Sequence, residues 1–187
     1  MRPASRRFIR FAVAVAATTA VTLGVAASPA HADIWQHTDG FESNPAAAWQ
    51  FDRGGDGSGT LELNAGTAAG GRNNALLTTS PGGWSGVGKL LTVRPRTAGH
   101  STTCGGGFWI RSVSGPALLN VEVIDPTTWT YVALRTVRAG DAAWQWHAVS
   151  GYRDGPTQVF IRVSLLGGSG PARVDEMGFQ CTFTRPI

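Results

Sequence analysis

Closely spaced glycine and proline residues constrain this chain more than any other feature of its sequence. Turn-forming clusters lie at residues 54–59, 66–71, 82–83, 105–107, 125–126, 155–156 and 167–171. The short segments between them are rich in β-branched and aromatic residues, which favour strands. After residue 32, no stretch of ten or more residues keeps an apolar stripe at helical spacing, so any helix is expected to be a single turn, near residues 44–49.

Nine segments are predicted as strands: 60–64, 75–79, 87–93, 107–112, 118–124, 131–137, 144–149, 158–165 and 172–179. Alternation is clearest in two of them, where Val159, Ile161, Val163 and Leu165 alternate with Phe160, Arg162 and Ser164, and Leu119, Val121 and Val123 alternate with Asn120, Glu122 and Ile124. Each of these strands therefore has one face toward the core. Antiparallel strands without a helical layer predict an all-β fold, a two-sheet antiparallel β-sandwich or jelly roll, formed by residues 33–187 as a single domain.

The first 32 residues have the features of a cleavable signal peptide. Arg2, Arg6, Arg7 and Arg10 precede an apolar stretch over residues 11–27, and Ala30-His31-Ala32 forms a small-residue cleavage site. A membrane anchor is the alternative, although the apolar stretch is short for a span. We expect cleavage before Asp33 and a secreted, extracellular protein with no membrane attachment; the Sec and twin-arginine routes both stay open.

Removing this leader changes the charge balance of the chain. The full sequence has 16 basic and 12 acidic residues, and loss of the four leader arginines leaves twelve of each. Nucleic acids and anionic membranes are bound through an excess of Lys and Arg, so we expect neither as a partner.

Cys104 and Cys181 are the only cysteines of the chain. An exported protein matures where disulfides persist, so we predict that these two residues pair. Such a bridge closes a long loop and contributes roughly 4 kcal/mol on the chain-entropy model. A metal site is the alternative, but His37, His100 and His147 show no ligand spacing to either cysteine.

Four short motifs, in order along the chain, carry a resemblance to a known family. They are Asp39-Gly40-Phe41-Glu42-Ser43 followed by Trp49, Gly71-Arg72 followed by Trp84-Ser85-Gly86, residues 158–162, and residues 173–177. Together they resemble carbohydrate-binding modules of the galactose-binding-like jelly-roll superfamily. The resemblance implies a β-sandwich with a structural calcium ion and a sugar-binding surface of aromatic and polar side chains.

The resemblance also implies positions for the calcium ligands. In similar domains an early glutamate and an aspartate of the last strand approach each other, which here matches Glu42 and Asp175 beside the backbone of residues 72–74. The alternative is that both carboxylates are solvated or paired with arginine.

Sugar rings have an apolar face and a rim of hydroxyl groups, so a sugar site needs an exposed aromatic ring beside polar groups. Trp84 matches the Trp-x-Gly motif of the family and lies in a glycine-rich loop, and Phe160 and Arg162 match positions in the binding cleft. The predicted ligand-binding residues are Trp84, Arg111, Glu122, Tyr131, Phe160 and Arg162. Where relatives carry an acid, this chain has Arg162, which predicts either a different ligand preference or a loss of binding.

An ionic ladder of Glu122, Arg111 and Arg162 across one sheet face is the structural alternative. The other tryptophans are assigned mostly to core or edge packing: Trp35, Trp49, Trp109, Trp129, Trp144 and Trp146.

No catalytic residues are predicted, because the sequence has no Gly-x-Ser-x-Gly motif and singles out no carboxylate pair. The function expected is a secreted, non-catalytic carbohydrate-binding module, acting as a monomer on an extracellular polysaccharide or cell-wall glycan. Two alternatives stay open, namely a secreted protein-binding or inhibitory β-sandwich and a small glycan-degrading enzyme.

Overall fold

A computed structural model describes residues 32–95, 98–140 and 143–185, with no side-chain description at residues 150, 152 and 153. The predicted signal peptide, residues 1–32, lies outside the described residues except for Ala32. The strands are β1 Asp33–Asp39, β2 Gln50–Gly54, β3 Ser58–Leu63, β4 Asn73–Thr78, β5 Trp84–Thr92, β6 Ser101–Ser112, β7 Ala117–Asp125, β8 Thr130–Ala139, β9 Gln145–Arg153, β10 Gln158–Leu165 and β11 Ala172–Thr184. A helix of four residues, α1 Pro45–Ala48, precedes β2.

The strands form two antiparallel sheets. One has the order β3-β4-β11-β6-β9, with β1 also paired to β11, and the other has the order β2-β5-β10-β7-β8. Their inner faces enclose the core, which includes Phe108, Ile110, Val121, Ile161 and Val163. The predicted all-β, two-sheet sandwich is confirmed. Within the described residues, no helix is long and apolar enough to cross a membrane.

All nine predicted strands are present, and the sequence prediction omitted β1 and β2. Strand β1 lies at a sheet edge and is largely polar on its exposed side, so its sequence lacks a strong apolar alternation. Strand β2 has only five residues and ends in glycine. Strand β6 begins earlier than predicted because the run Gly105-Gly106-Gly107 pairs with β11 instead of forming a turn.

The expected single turn of helix is α1, which begins after Asn44 in the left-handed conformation. It leads into Trp49, whose ring stacks on Phe41 with centroids 4.1 Å apart. Both rings are buried, so this contact attaches the segment between β1 and β2 to the core.

The predicted disulfide is confirmed, because Cys104 and Cys181 are bonded. The two residues are direct partners in the register of β6 and β11, which are neighbouring strands. Both cysteines are buried. The bridge therefore reinforces the middle of the six-stranded sheet.

Candidate functional site

The outer face of the five-stranded sheet carries most of the predicted ligand-binding residues. On β10, Val159, Ile161, Val163 and Leu165 point into the core, so Phe160, Arg162 and Ser164 lie on the opposite face, as the alternation predicted. Strand register then defines two rows across this face. One row contains Gln50, Gly88, Arg162, Glu122 and Leu134, and the next contains Asp52, Gly86, Ser164, Asn120 and Thr136.

Arg162 links the carboxylates on either side of it. Its Nε donates a hydrogen bond to Glu122 Oε2 at 2.5 Å, and its Nη1 donates to Asp52 Oδ2 at 3.2 Å. The hydroxyl of Ser164 donates to the same Glu122 oxygen at 3.3 Å. Burial raises the pKa of Glu122, while the charge and hydrogen bond of Arg162 oppose the rise. The centre of the face is therefore a polar network fixed by one guanidinium group.

Trp84 is the first residue of β5 rather than part of the preceding loop. Its indole lies over Gly54 of the neighbouring strand, where an added Cβ would stand 2.1 Å from Trp84 Nε1. The Arg162 guanidinium lies 5.2 Å from the ring centroid, within cation–π distance. Gly54 and Arg162 together hold this ring beside the polar network, and it is partly exposed.

Phe160 lies on the predicted face, but its side chain is not accessible. Trp129 covers it, with ring centroids 5.7 Å apart, and Phe160 is only 3% exposed. Glu122 is similarly 2% exposed. The expectation that these outward side chains lie on an accessible surface is therefore wrong for Phe160 and Glu122, because neighbouring side chains close over them. Arg162 is also mostly buried, with 13% of its side chain exposed. Phe160 and Glu122 instead lie beneath the surface and contact the side chains that form it, Trp129 and Arg162.

Trp129 and Tyr131 are the exposed aromatic residues at this end of the face, at 58% and 55%. Tyr131 was predicted as a ligand-binding residue, whereas Trp129 was assigned to packing. Trp129 follows a turn that begins at Asp125-Pro126, and its backbone has a positive φ of 54°. A large ring beside a turn signal is the sequence feature that could have identified it.

Arg111 does not belong to this group of residues. It lies on β6 of the other sheet, where its guanidinium is 5.3 Å from the ring centroid of Trp144. The predicted ladder of Glu122, Arg111 and Arg162 is therefore wrong in one member. Asp52 supplies the third charge instead, because β2 lies beside β5 on the same face as Arg162.

Glu42 and Asp175 both face the segment over residues 69–73, as the family resemblance implied. Glu42 Oε1 accepts hydrogen bonds from the backbone N–H groups of Arg72 and Asn73, both at 2.8 Å. Asp175 Oδ2 accepts from the N–H groups of Ala69 and Gly70 at 2.7 and 3.1 Å. Burial raises the pKa of Asp175 to about 6, although these hydrogen bonds oppose the rise.

Calcium requires a cage of oxygen ligands, and the groups that meet these two carboxylates are N–H donors. Among the described residues, no group of three or more His, Cys, Asp or Glu side chains is placed to hold a metal. In this arrangement both carboxylates accept hydrogen bonds from backbone N–H groups. A structural calcium ion at Glu42 and Asp175 stays a prediction of the resemblance, which the melting temperature in calcium against that in EDTA would test.

Comparisons with known proteins identify the architecture. No protein-family model matches the chain, and no curated protein is significantly similar to it in sequence. Among solved structures it is similar to TmCBM61 in complex with beta-1,4-galactotriose, with 15% identity, a TM-score of 0.55 and coverage of 75% of this chain and 92% of that one. It is also similar to the CBM22-1 xylan-binding domain from Paenibacillus barcinonensis, with 17% identity, a TM-score of 0.54 and coverage of 86% and 100%.

A third similar structure is the enzymatically active domain of a bacteriophage CBA120 tailspike protein, with 13% identity and a TM-score of 0.50. That match covers 71% of this chain but only 19% of the tailspike chain. At these identities the similarity concerns the fold alone. The chain has the β-sandwich fold of carbohydrate-binding modules, which confirms the resemblance at the level of architecture.

Proposed function

We propose that this protein is secreted and binds a neutral extracellular polysaccharide or cell-wall glycan, without cleaving it, on the outer face of the five-stranded sheet. One observation carries the proposal: aromatic rings, partly exposed at Trp84 and well exposed at Trp129 and Tyr131, lie on either side of the two rows of polar groups. Trp84 lies on one side, and Trp129 and Tyr131 lie on the other. Between them, Gln50, Asp52, Asn120, Thr136 and Arg162 supply hydrogen-bonding groups.

This arrangement suits the chemistry of a polysaccharide. The C–H face of a sugar stacks on an aromatic ring, while its equatorial hydroxyls need amide, hydroxyl and charged partners. The polar groups are already oriented, since Gln50 Nε2 donates to Asp52 at 3.0 Å and Thr136 Oγ1 donates to Asn120 at 2.8 Å. Side chains held in place lose little freedom on binding, which favours affinity.

The solved structures similar in fold support a neutral ligand. One was solved with a galactotriose, and the other is described as xylan-binding. Galactotriose has no ionisable group, and neither has the unsubstituted backbone of xylan. Their low identity to this chain gives no basis for choosing between them, so the proposal concerns the class of ligand.

The proposal of a non-catalytic role follows from the lack of a catalytic motif in the sequence, and the position of Glu122 supports it. A glycosidase acid must reach the bond that it protonates. The Glu122 carboxylate is buried, and its Oε2 accepts hydrogen bonds from both Arg162 and Ser164. We therefore expect no release of reducing ends from any glycan that the protein binds. Release that is lost in Glu122→Gln would instead identify an enzyme.

Affinity electrophoresis of residues 33–187 tests the binding proposal, with xylan, β-1,4-galactan and β-glucans in the gel. We expect retardation by at least one glycan, and a loss of affinity of about tenfold or more in Trp129→Ala, equivalent to about 1.4 kcal/mol. Leu63→Ala is the matched control, because Leu63 is an exposed apolar residue on β3 of the other sheet. Absence of retardation on every glycan, or equal affinity of all three proteins, would contradict the proposal.

A protein-binding role is the second candidate, and one observation favours it. Leu90 and Leu134, 51% and 46% exposed, share the face with Trp129 and Tyr131. Exposed apolar side chains grouped in this way are typical of protein interfaces. Recovery of one stoichiometric partner by the wild type and not by Trp129→Ala, together with no retardation in glycan gels, would favour this alternative.

A further inference from the structure

A second groove lies on the outer face of the six-stranded sheet, on the opposite side of the sandwich. Its volume is about 470 Å³, and it crosses strands β1, β11, β6 and β9. The core separates it from the face that carries Arg162. None of the ligand-binding residues predicted from the sequence lines it.

Small residues on adjacent strands form the floor of this groove. Gly178 of β11, Gly105 of β6 and Ala148 of β9 line it. Within the Gly105-Gly106-Gly107 run, Gly106 faces the core instead. The Phe179 ring packs against it, with Cδ2 2.6 Å from the position of a Cβ added to Gly106. Because Gly106 has no side chain, the Phe179 ring packs against it on the inner face. Because Gly105 and Gly178 have none, the outer face has a depression at these positions.

Trp146 forms one end of the groove. Its side chain is 43% exposed, although the sequence assigned it to packing. The indole lies against Gly178, with Cη2 3.0 Å from the position of an added Cβ, and Trp109 contacts it edge-on at 6.1 Å between centroids. Trp146 also borders an adjoining hollow of about 280 Å³, which Trp109 and Glu176 line. The Trp146 indole, held by its contacts with Gly178 and Trp109, therefore lines both the groove and the adjoining hollow.

Among the residues that the structure describes, the polar side chains lining the groove are uncharged. They are Gln36, Thr38, Thr103, Gln180 and Thr182. Gln36 Nε2 donates to Gln180 Oε1 at 2.9 Å, which orients both amides and leaves each with further hydrogen-bonding capacity. An aromatic ring beside amides and hydroxyls, with no charged side chain among the described residues of the lining, fits a neutral sugar better than an anion or a cation.

We propose that this groove is a second binding site for a neutral glycan, with Trp146 as its aromatic platform and Gln36 and Gln180 as hydrogen-bonding partners. The inference rests on the proposed function and extends it. Because the two sites lie on opposite outer faces, one protein molecule could hold two glycan chains at once. Such bivalency raises the apparent affinity for an insoluble polysaccharide above that for a short oligosaccharide.

Calorimetric titration with a soluble oligosaccharide of the bound glycan tests the number of sites. Wild type is expected to bind two ligands, and Trp129→Ala and Trp146→Ala are each expected to bind one. Gln180→Ala is the second groove variant, since it removes an exposed amide and leaves the indole in place, and we expect its groove affinity to fall about fivefold. Leu63→Ala is the control, and melting curves of all variants establish that they are folded.

The outcomes separate this inference from the function on which it rests. One ligand per wild-type molecule, with Trp146→Ala and Gln180→Ala unchanged, would overturn the second site and leave the proposed function standing. If the wild type binds one ligand, and Trp146→Ala abolishes this binding while Trp129→Ala does not, the groove is supported as the binding site. The same result would contradict binding on the face of the five-stranded sheet. Absence of binding to any glycan would overturn both.

Discussion

Arg162 is the side chain on which the polar centre of the five-stranded sheet depends. It stands between Glu122 and Asp52 and is itself mostly buried, with 13% of its side chain exposed. Without it, the Glu122 carboxylate would be left in a buried position with the neutral Ser164 and Asn120 side chains as hydrogen-bond partners and no opposite charge to offset the cost of desolvation.

We therefore predict that Arg162→Met lowers the free energy of unfolding by about 3 kcal/mol, because it leaves a buried charge without its partner. Denaturation in urea measures the effect. Most of the loss should be recovered in Arg162→Met combined with Glu122→Gln, where no charge is left unpaired. Arg138→Met on β8 is the control, since Arg138 is exposed. An equal loss in the single and double variants would contradict the charge argument.

Asp175 is a buried carboxyl group whose pKa is raised to about 6 by desolvation. A raised pKa means that the folded state binds the proton more tightly than the unfolded state. The group therefore contributes stability that is complete below about pH 4 and is lost as the pH rises through about 6. A shift of this size corresponds to roughly 3 kcal/mol.

Asp175→Asn removes this titration, and we predict that the difference in unfolding free energy between wild type and variant changes between pH 4 and pH 7. Wild type should lose stability relative to the variant as the pH rises. Urea unfolding at several pH values, with EDTA present throughout, measures the difference. If the difference does not vary with pH, Asp175 titrates in the folded protein as it does in the unfolded chain.

Strands β6 and β11 form the middle of the six-stranded sheet, and the disulfide joins them across 77 residues of sequence. The bridge restricts the unfolded chain more than the folded one, because the hydrogen-bonded strands are already adjacent. Its contribution to stability should therefore come mainly from the unfolded state.

Replacement of both Cys104 and Cys181 by alanine is predicted to lower the unfolding free energy by roughly 4 kcal/mol. Urea unfolding in the presence and absence of a reducing agent measures this. The reductant should destabilise the wild type and leave the alanine variant unchanged. Equal stability of the oxidised wild type and the variant would show that the bridge constrains little.

Several charged side chains form ion pairs within the fold. Lys89 pairs with Asp39, Arg173 with Glu62, and Arg162 with Asp52 and Glu122. The sequence after residue 32 has twelve basic and twelve acidic residues. A neutral glycan bound through rings, amides and hydroxyls therefore experiences little long-range electrostatic attraction that salt could weaken.

We predict that affinity for the glycan changes less than about twofold between 50 and 500 mM salt, because screening acts on exposed charges rather than on stacking. Affinity electrophoresis or calorimetry at the two salt concentrations measures this. A steep loss of affinity with salt would indicate an acidic ligand and contradict the proposal of a neutral one.

The strand phase of β10 could be predicted from sequence because side chains alternate with a period of two, whatever the neighbouring strands are. The same reasoning predicted the core face of β7 and the sandwich architecture. The pairing of Cys104 with Cys181 followed from the expected compartment. These properties depend on local periodicity or on composition, which a single sequence contains.

The accessibility of each outward side chain depended on strands that are distant in sequence. Phe160 is covered because Trp129 folds over it, Arg111 lies on the other sheet because β6 pairs with β11, and Trp146 is exposed beside a glycine of a distant strand. A surface site needs several strands brought into register. The identity of neighbouring strands is set by packing of the complete sandwich, so the site could be located only once the chain was folded.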